Sequence, residues 1–135
     1  PAGMRRTWND SRGDSGTWAH RNNVDDVGFV STLIDLMVDR YAVDARRVYV
    51  AGISNGGFMA FRLACELSER ISGIAVVTAT NPAGRAGSCA PQRPLDVIIF
   101  NGTDDPIARI GAAACSQRAV LRSDRRCVPR RIRSG

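Results

Sequence analysis

The sequence predicts an α/β fold, with about three parallel strands and flanking helices. Apolar residues recur at helical spacing over 24–41 and 55–68. Short apolar runs rich in Val and Ile occupy 47–52, 71–79 and 95–101. The resulting order is helix, strand, helix, strand, loop, strand, which is that of a parallel sheet built through right-handed crossovers.

Residues 1–23 carry Gly, Asn, Asp, Arg and two Trp without an apolar period, which reads as loop. Trp8 and Trp18 either wall a pocket or cover the body of the domain, and covering is the commoner use of so large a ring. In the helix expected over 24–41, Val27, Val30, Ile34, Met37 and Tyr41 form the apolar stripe. Asn23 is the expected cap, with Asp25 and Asp26 in the first turn, where the helix dipole favours negative charge. The helix should end near Ala42, and residues 44–47 turn into the first strand. That strand, 47–52, is β-branched and suits a position buried on both faces. Met59, Leu63 and Leu67 mark the second helix. Residues 80–94 are rich in Pro, Gly and Ser and read as loop, before the last strand ends at Asn101-Gly102-Thr103-Asp104-Asp105-Pro106.

The 135 residues make one small domain by length, and the 44% hydrophobic content is ordinary for a globular protein. No apolar run approaches the roughly 20 residues that span a bilayer, so no membrane partner is expected. The chain starts at Pro1, so the lack of a signal-peptide pattern says little about compartment. All 19 basic residues are Arg. Residues 1–107 carry 11 Arg against 12 acidic residues, whereas 108–135 carry 8 Arg against Asp124 alone. The basic character belongs to the tail, which has no period and no aromatic residue to stack a base. No nucleic-acid partner is expected. The cysteines, Cys65, Cys89, Cys115 and Cys127, have no metal or redox spacing, so no metal is expected. They permit three pairings. A Cys65–Cys89 bridge would suit an exported protein, and buried free thiols are the equal alternative.

The chemistry concentrates in Gly52-Ile53-Ser54-Asn55-Gly56, a G-x-S-x-G motif with a strand before it and a helix after it. A serine there stands on a sharp turn that lifts its hydroxyl clear of the sheet. Gly52 and Gly56 are expected because backbones approach closely at such a turn. Ser54 is the candidate nucleophile of a serine hydrolase with an α/β-hydrolase fold. The Asn55 backbone N–H, at a helix N-terminus, is the candidate oxyanion donor. A serine nucleophile needs a base, and the base an orienting acid, in the chain order Ser, acid, His. Asp105 is the candidate acid and Asp104 its reserve, because both follow the third strand at its carboxyl end. The one histidine, His20, precedes Ser54 and has the wrong order for the base. Asn9-Asp10-Ser11 and Asn101-Gly102-Thr103 are formal glycosylation sequons, and the second, at the expected active-site edge, is read as chance.

Five segments occur in one order: Thr7-Trp8-Asn9-Asp10, Val24-Asp25-Asp26-Val27-Gly28-Phe29, Arg46-Arg47-Val48-Tyr49-Val50, the serine motif with Met59, and Asn101 to Pro106. As a set they resemble the esterase family of polyhydroxybutyrate depolymerases and feruloyl or acetylxylan esterases. The resemblance covers residues 1–107. It implies an α/β-hydrolase fold, extracellular location, hydrolysis of carboxylic esters (polyester or plant cell-wall ester) and no cofactor. Matched motif to motif, Ser54 is the nucleophile and Asp105 the acid. The family has strands and an oxyanion loop ahead of this sequence and a catalytic His after the acid. The expectation is therefore a partial α/β-hydrolase domain over 1–107, inactive by itself. The tail over 108–135 is expected to be disordered or an out-of-frame continuation, which translating the source DNA in its other frames would test.

Three other classes compete. Ser54-Asn55-Gly56-Gly57 also fits the G-x-S-x-G-G of prolyl-oligopeptidase-like peptidases. A non-catalytic binding module and a nucleic-acid binder acting through the tail are the others.

Overall fold

The computed structural model describes residues 6–13, 16–81, 89–102, 118–121 and 127–129. The elements run α1 (Trp18–Arg21), α2 (Asp26–Tyr41), β1 (Tyr49–Ile53), α3 (Asn55–Glu66), β2 (Gly73–Val77), β3 (Leu95–Phe100), β4 (Arg118–Leu121) and β5 (Cys127–Pro129). The sheet order is β1-β2-β3-β4-β5. The first three strands are parallel, as expected, with Ile53, Val77 and Phe100 in register at their carboxyl ends. β4 and β5 extend the sheet as antiparallel strands. Both lie in the segment for which the sequence offers no period. Their pairing rests on the backbone groups that the β3 edge presents to any neighbour, which no side-chain pattern announces.

The helices α2 and α3 build a core on one face of the sheet. Phe58, Met59, Phe61 and Leu63 of α3 meet Ile74 and Val76 of β2 and Leu95, Val97 and Ile99 of β3, with Ile34 of α2 beside them. β3 alternates strictly between buried and exposed residues, the signature of a strand covered on one side. The opposite face is open: Tyr49, Ile53, Val77, Ile98 and Phe100 are exposed there, and Tyr49 and Ile98, with Gly73, Ala75 and Asp96, border a shallow groove. Among the described residues, no helix is long and apolar enough to cross a membrane.

Two local expectations for α2 are corrected. Its cap is Asp25, not Asn23: the Gly28 N–H donates to Asp25 Oδ1 at 2.8 Å. Asn23 instead takes a left-handed conformation at φ 46° in the turn before the helix. The inner stripe follows Val27, Val30, Ile34 and Val38, whereas Met37 and Tyr41 are exposed. A stripe drifts around a 3.6-residue helix, so position 38 rather than 37 falls on the core side. The helix ends where expected, with Ala42 left-handed at φ 51°. In the turn that follows, the Arg46 side chain donates to the Asp44 carboxylate and holds its pKa below the usual carboxylate range.

Cys65, near the end of α3, and Cys89, in the loop before β3, form a disulfide. Of the two readings of these cysteines, the bridge is the one the structure contains. It ties the 80–94 loop to α3. Around it, Gln92 N–H donates to Ser68 Oγ at 2.9 Å, and Arg93 donates to the carbonyls of Ser68 and Ile71 at 2.7 and 2.8 Å.

Candidate active site

β1 runs into α3 with only Ser54 between them, and Ser54 absorbs the whole change of direction. Its backbone sits at φ 50°, ψ −121°, a region that L-residues rarely occupy. Holding a non-glycine residue there costs about 1–3 kcal/mol. The Ser54 N–H continues the ladder by donating to Val77 O at 2.9 Å, and its carbonyl accepts from Phe58 N–H at 3.0 Å. The side chain makes no cap hydrogen bond and is exposed at the carboxyl edge of the sheet. Asn55 opens α3, so its backbone N–H is one of the first-turn amides without an intrahelical acceptor.

The glycines of the turn differ in what they do. A Cβ on Gly52 would stand 2.2 Å from Gly56 O and 2.8 Å from Gly57 N, so only glycine fits. A Cβ on Gly56 would meet only Trp8 Nε1, at 4.0 Å. The steric reason expected for Gly56 therefore does not hold. The second obligatory glycine is Gly57, where a Cβ would come within 2.6 Å of Ala79 Cβ. Sequence reasoning passed over it, although the Gly56-Gly57 doublet was the available signal.

The residues ahead of α1 form a strap over α3, pinned by its polar side chains. The Trp8 N–H donates to Asn55 Oδ1 at 2.7 Å, and Asn55 Nδ2 donates to Trp8 O at 3.1 Å and Asp10 Oδ2 at 2.5 Å. Asp10 is fully buried and also accepts from Arg12 Nε and Nη2 at 2.9 and 2.8 Å. The Arg12 guanidinium stacks 3.9 Å from the Phe58 ring centre. Asn9 N–H donates to Asp26 Oδ2 at 2.6 Å, and Arg62 donates to Asn9 O at 2.5 Å. Trp8 packs on the core and lies 6.4 Å from Phe29, centroid to centroid, so it covers the body while also bordering Gly56.

Asp104 and Asp105 lie outside the described residues. His20 sits on α1. Its ring Nδ1 is buried without a partner, and no hydrogen bond joins it to Ser54 among the described residues. Both sequon carboxamides are committed: Asn9 Nδ2 donates to Val24 O at 3.0 Å and Asn101 Nδ2 to Ala79 O at 3.1 Å.

Among curated proteins, the chain is 32% identical over 87 residues to feruloyl esterase B of Piromyces equi, covering 63% of this chain and 16% of that protein. It is 29% identical over 93 residues to feruloyl esterase D of Neurospora crassa, covering 69% and 31%. It is 31% identical over 98 residues to a bifunctional acetylxylan esterase/xylanase of Neocallimastix patriciarum, covering 71% and 14%. Its homologues are feruloyl and acetylxylan esterases. The motif resemblance is thus homology, and the chain is related to carboxylic ester hydrolases. It spans less than a third of the length of each of these three esterases. No family model matches the chain, and no solved structure matches it significantly.

Proposed function

We propose that this chain carries the nucleophile of a carboxylic ester hydrolase acting on plant cell-wall esters of the feruloyl or acetyl type. One observation carries the proposal: Ser54 is held in a strained turn that presents an exposed hydroxyl, making no cap hydrogen bond, at the carboxyl edge of a parallel sheet. The esterase relatives support the reaction, and their names support the substrate class over a polyester or a peptide. The disulfide supports an exported protein, because such bridges persist in oxidising compartments.

In the proposed reaction Ser54 Oγ attacks the ester carbonyl carbon while a base takes its proton. The Asn55 N–H donates to the oxyanion that forms, and Gly52 and Gly57 allow the close approach of strand and helix at the turn. Collapse breaks the C–O bond, the alcohol leaves with the proton, and the acyl group stays on Ser54 until water hydrolyses it. Asp105 orients the histidine that acts as base, and His20 is not that histidine. By itself the chain therefore turns over esters slowly or not at all, since loss of the base removes several orders of magnitude.

The proposal is tested by supplying imidazole as a soluble base with p-nitrophenyl butyrate. Intact-mass and peptide analysis should find a butyryl group on Ser54 and none in Ser54→Ala. No acyl adduct, or an adduct of equal yield in the Ala variant, would remove Ser54 from the reaction.

A further inference from the structure

The parallel ladder between β2 and β3 does not stop where the strands stop. The last backbone bond is Thr78 N–H to Phe100 O, at 3.0 Å. One residue further on, Ala79 is fully buried, so its N–H and carbonyl need partners within the protein. Both find them in one side chain. The Ala79 N–H donates to Asn101 Oδ1 and Asn101 Nδ2 donates back to Ala79 O, each at 3.1 Å. A carboxamide offers an acceptor and a donor in one plane, as a peptide unit does. The Asn101 side chain therefore takes the place of the next peptide of β3, and the main chain after it is released from the ladder. In sequence, Asp104 and Asp105 follow three and four residues on.

Ala79 is in turn the residue that limits the elbow. Its Cβ stands 2.6 Å from where a Cβ on Gly57 would be, so α3 begins in direct contact with it. Thr78, immediately before it, is β-branched yet sits at φ 53°. Such a residue is a conformational outlier that its surroundings must impose. Ser54 and Thr78 thus lie side by side, both at positive φ, one residue beyond Ile53 and Val77 in the register.

From this arrangement we infer that Asn101 is a positioning residue for Ser54, acting through Ala79 and Gly57. It rests on the proposal that Ser54 is an ester-attacking nucleophile. Its two hydrogen bonds hold Ala79 beneath the first turn of α3 and so fix the height of Ser54 and of the Asn55 N–H above the sheet. Leucine offers neither group, and a serine or threonine hydroxyl carries donor and acceptor on one atom, without the spaced, coplanar pair that Ala79 meets.

The test uses the full chain and amide 1H–15N spectra, with Asn101→Ala and Asn101→Asp. In Asn101→Ala the amide signals of Ser54, Asn55 and Gly57 should move together with that of Ala79. Imidazole-assisted acylation of Ser54 should fall at least tenfold. In Asn101→Asp a protonated carboxyl restores the donor and acceptor pair, whereas a carboxylate repels the Ala79 carbonyl. The four signals should therefore match those of the unsubstituted chain at pH 3 and depart from them at pH 7, on either side of an ordinary Asp pKa of about 3.9. If Asn101→Ala does not fold, exchange in the unsubstituted chain decides: Ala79 N–H should be protected as well as Val76 N–H, and free exchange would overturn the inference. Movement of Ala79 alone, with Ser54 and Gly57 unchanged, would also overturn it. Failure of Ser54 to acylate in the unsubstituted chain would reject the esterase proposal instead, and would leave the spectral result standing.

Discussion

Replacing Ser54 by glycine should make the protein more stable, and replacing it by alanine should not. The backbone at Ser54, φ 50° and ψ −121°, is one that glycine adopts freely and a residue with a Cβ does not. Release of the strain contributes about 1–3 kcal/mol. Against this stands the larger entropy of glycine in the unfolded chain, roughly 0.5–1 kcal/mol. Removing the hydroxyl costs little, because it makes no cap hydrogen bond to α3. The net expectation for Ser54→Gly is a gain of about 0.5–2 kcal/mol. Each kcal/mol raises the thermal midpoint by about 4 °C in a chain between the 60–100-residue and 150–250-residue classes. Ser54→Ala keeps the Cβ and therefore the strain, and should lie within about 0.5 kcal/mol of the parent. Urea titration followed by the fluorescence of Trp8 and Trp18 gives both values. A Ser54→Gly variant no more stable than the parent would show that the turn is unstrained. A Ser54→Ala variant weakened by more than about 1 kcal/mol would show that the hydroxyl supports the fold, as a capping side chain does.

Four further outcomes follow from the same coordinates. Gly52→Ala should destabilise by about 3 kcal/mol or more, because its Cβ meets backbone at 2.2 Å, whereas Gly56→Ala should be neutral or stabilising by up to about 1 kcal/mol; paired urea curves compare them. Reducing the Cys65–Cys89 bridge opens a loop with a sequence separation of 24 and should cost about 3.5 kcal/mol, read as a shift of the urea midpoint with and without dithiothreitol. Asp10→Ala strips Asn55 and Arg12 of a buried acceptor and should cost about 2–3 kcal/mol, near the lower end for a broken buried pair because Arg12 is partly exposed; hydrogen exchange should locate the loss at Trp8 and Asn55. The open sheet face should bind an apolar dye, and Phe100→Lys should weaken that binding while leaving the urea midpoint within about 0.5 kcal/mol of the parent.

What could be read from the sequence was what is local. Arg47 to Gly52 and Leu95 to Asn101 announce strands by composition, and Met59, Leu63 and Leu67 announce a helix by period, so the parallel sheet and the strand–serine–helix turn were legible. The details that failed are decided by partners far along the chain. Gly57 is obligatory because of Ala79, two residues past the end of β2, and no pattern within the motif separates it from Gly56. Asn55 drew notice for its backbone N–H, yet its side chain is bonded to a segment 47 residues earlier. Asn101 passed as half of a chance sequon, although its carboxamide closes the sheet. The short antiparallel strands β4 and β5 rest on backbone pairing and leave no apolar alternation to find.

The ordered set of motifs acquires a physical sense from these long-range partners. A serine held at positive φ relaxes unless its neighbours over-determine it, and each motif supplies one constraint. β1 delivers the chain through Gly52, against which the Gly56 carbonyl packs directly. Trp8 and Asp10 hold the first residue of α3 through the Asn55 carboxamide. Val77 ties Ser54 to β2, and Ala79 stops the helix from settling on the sheet, itself fixed by Asn101. Asp26 and Arg62 seat the strap on α2 and α3 at Asn9. Loss of any one of these should relax the turn before it unfolds the domain. The expected signature is a Ser54 amide that moves in the spectrum at unchanged helix content. A strap variant such as Asp10→Ala that unfolds globally while the Ser54 amide of its folded fraction stays in place would show that the strap supports the core alone.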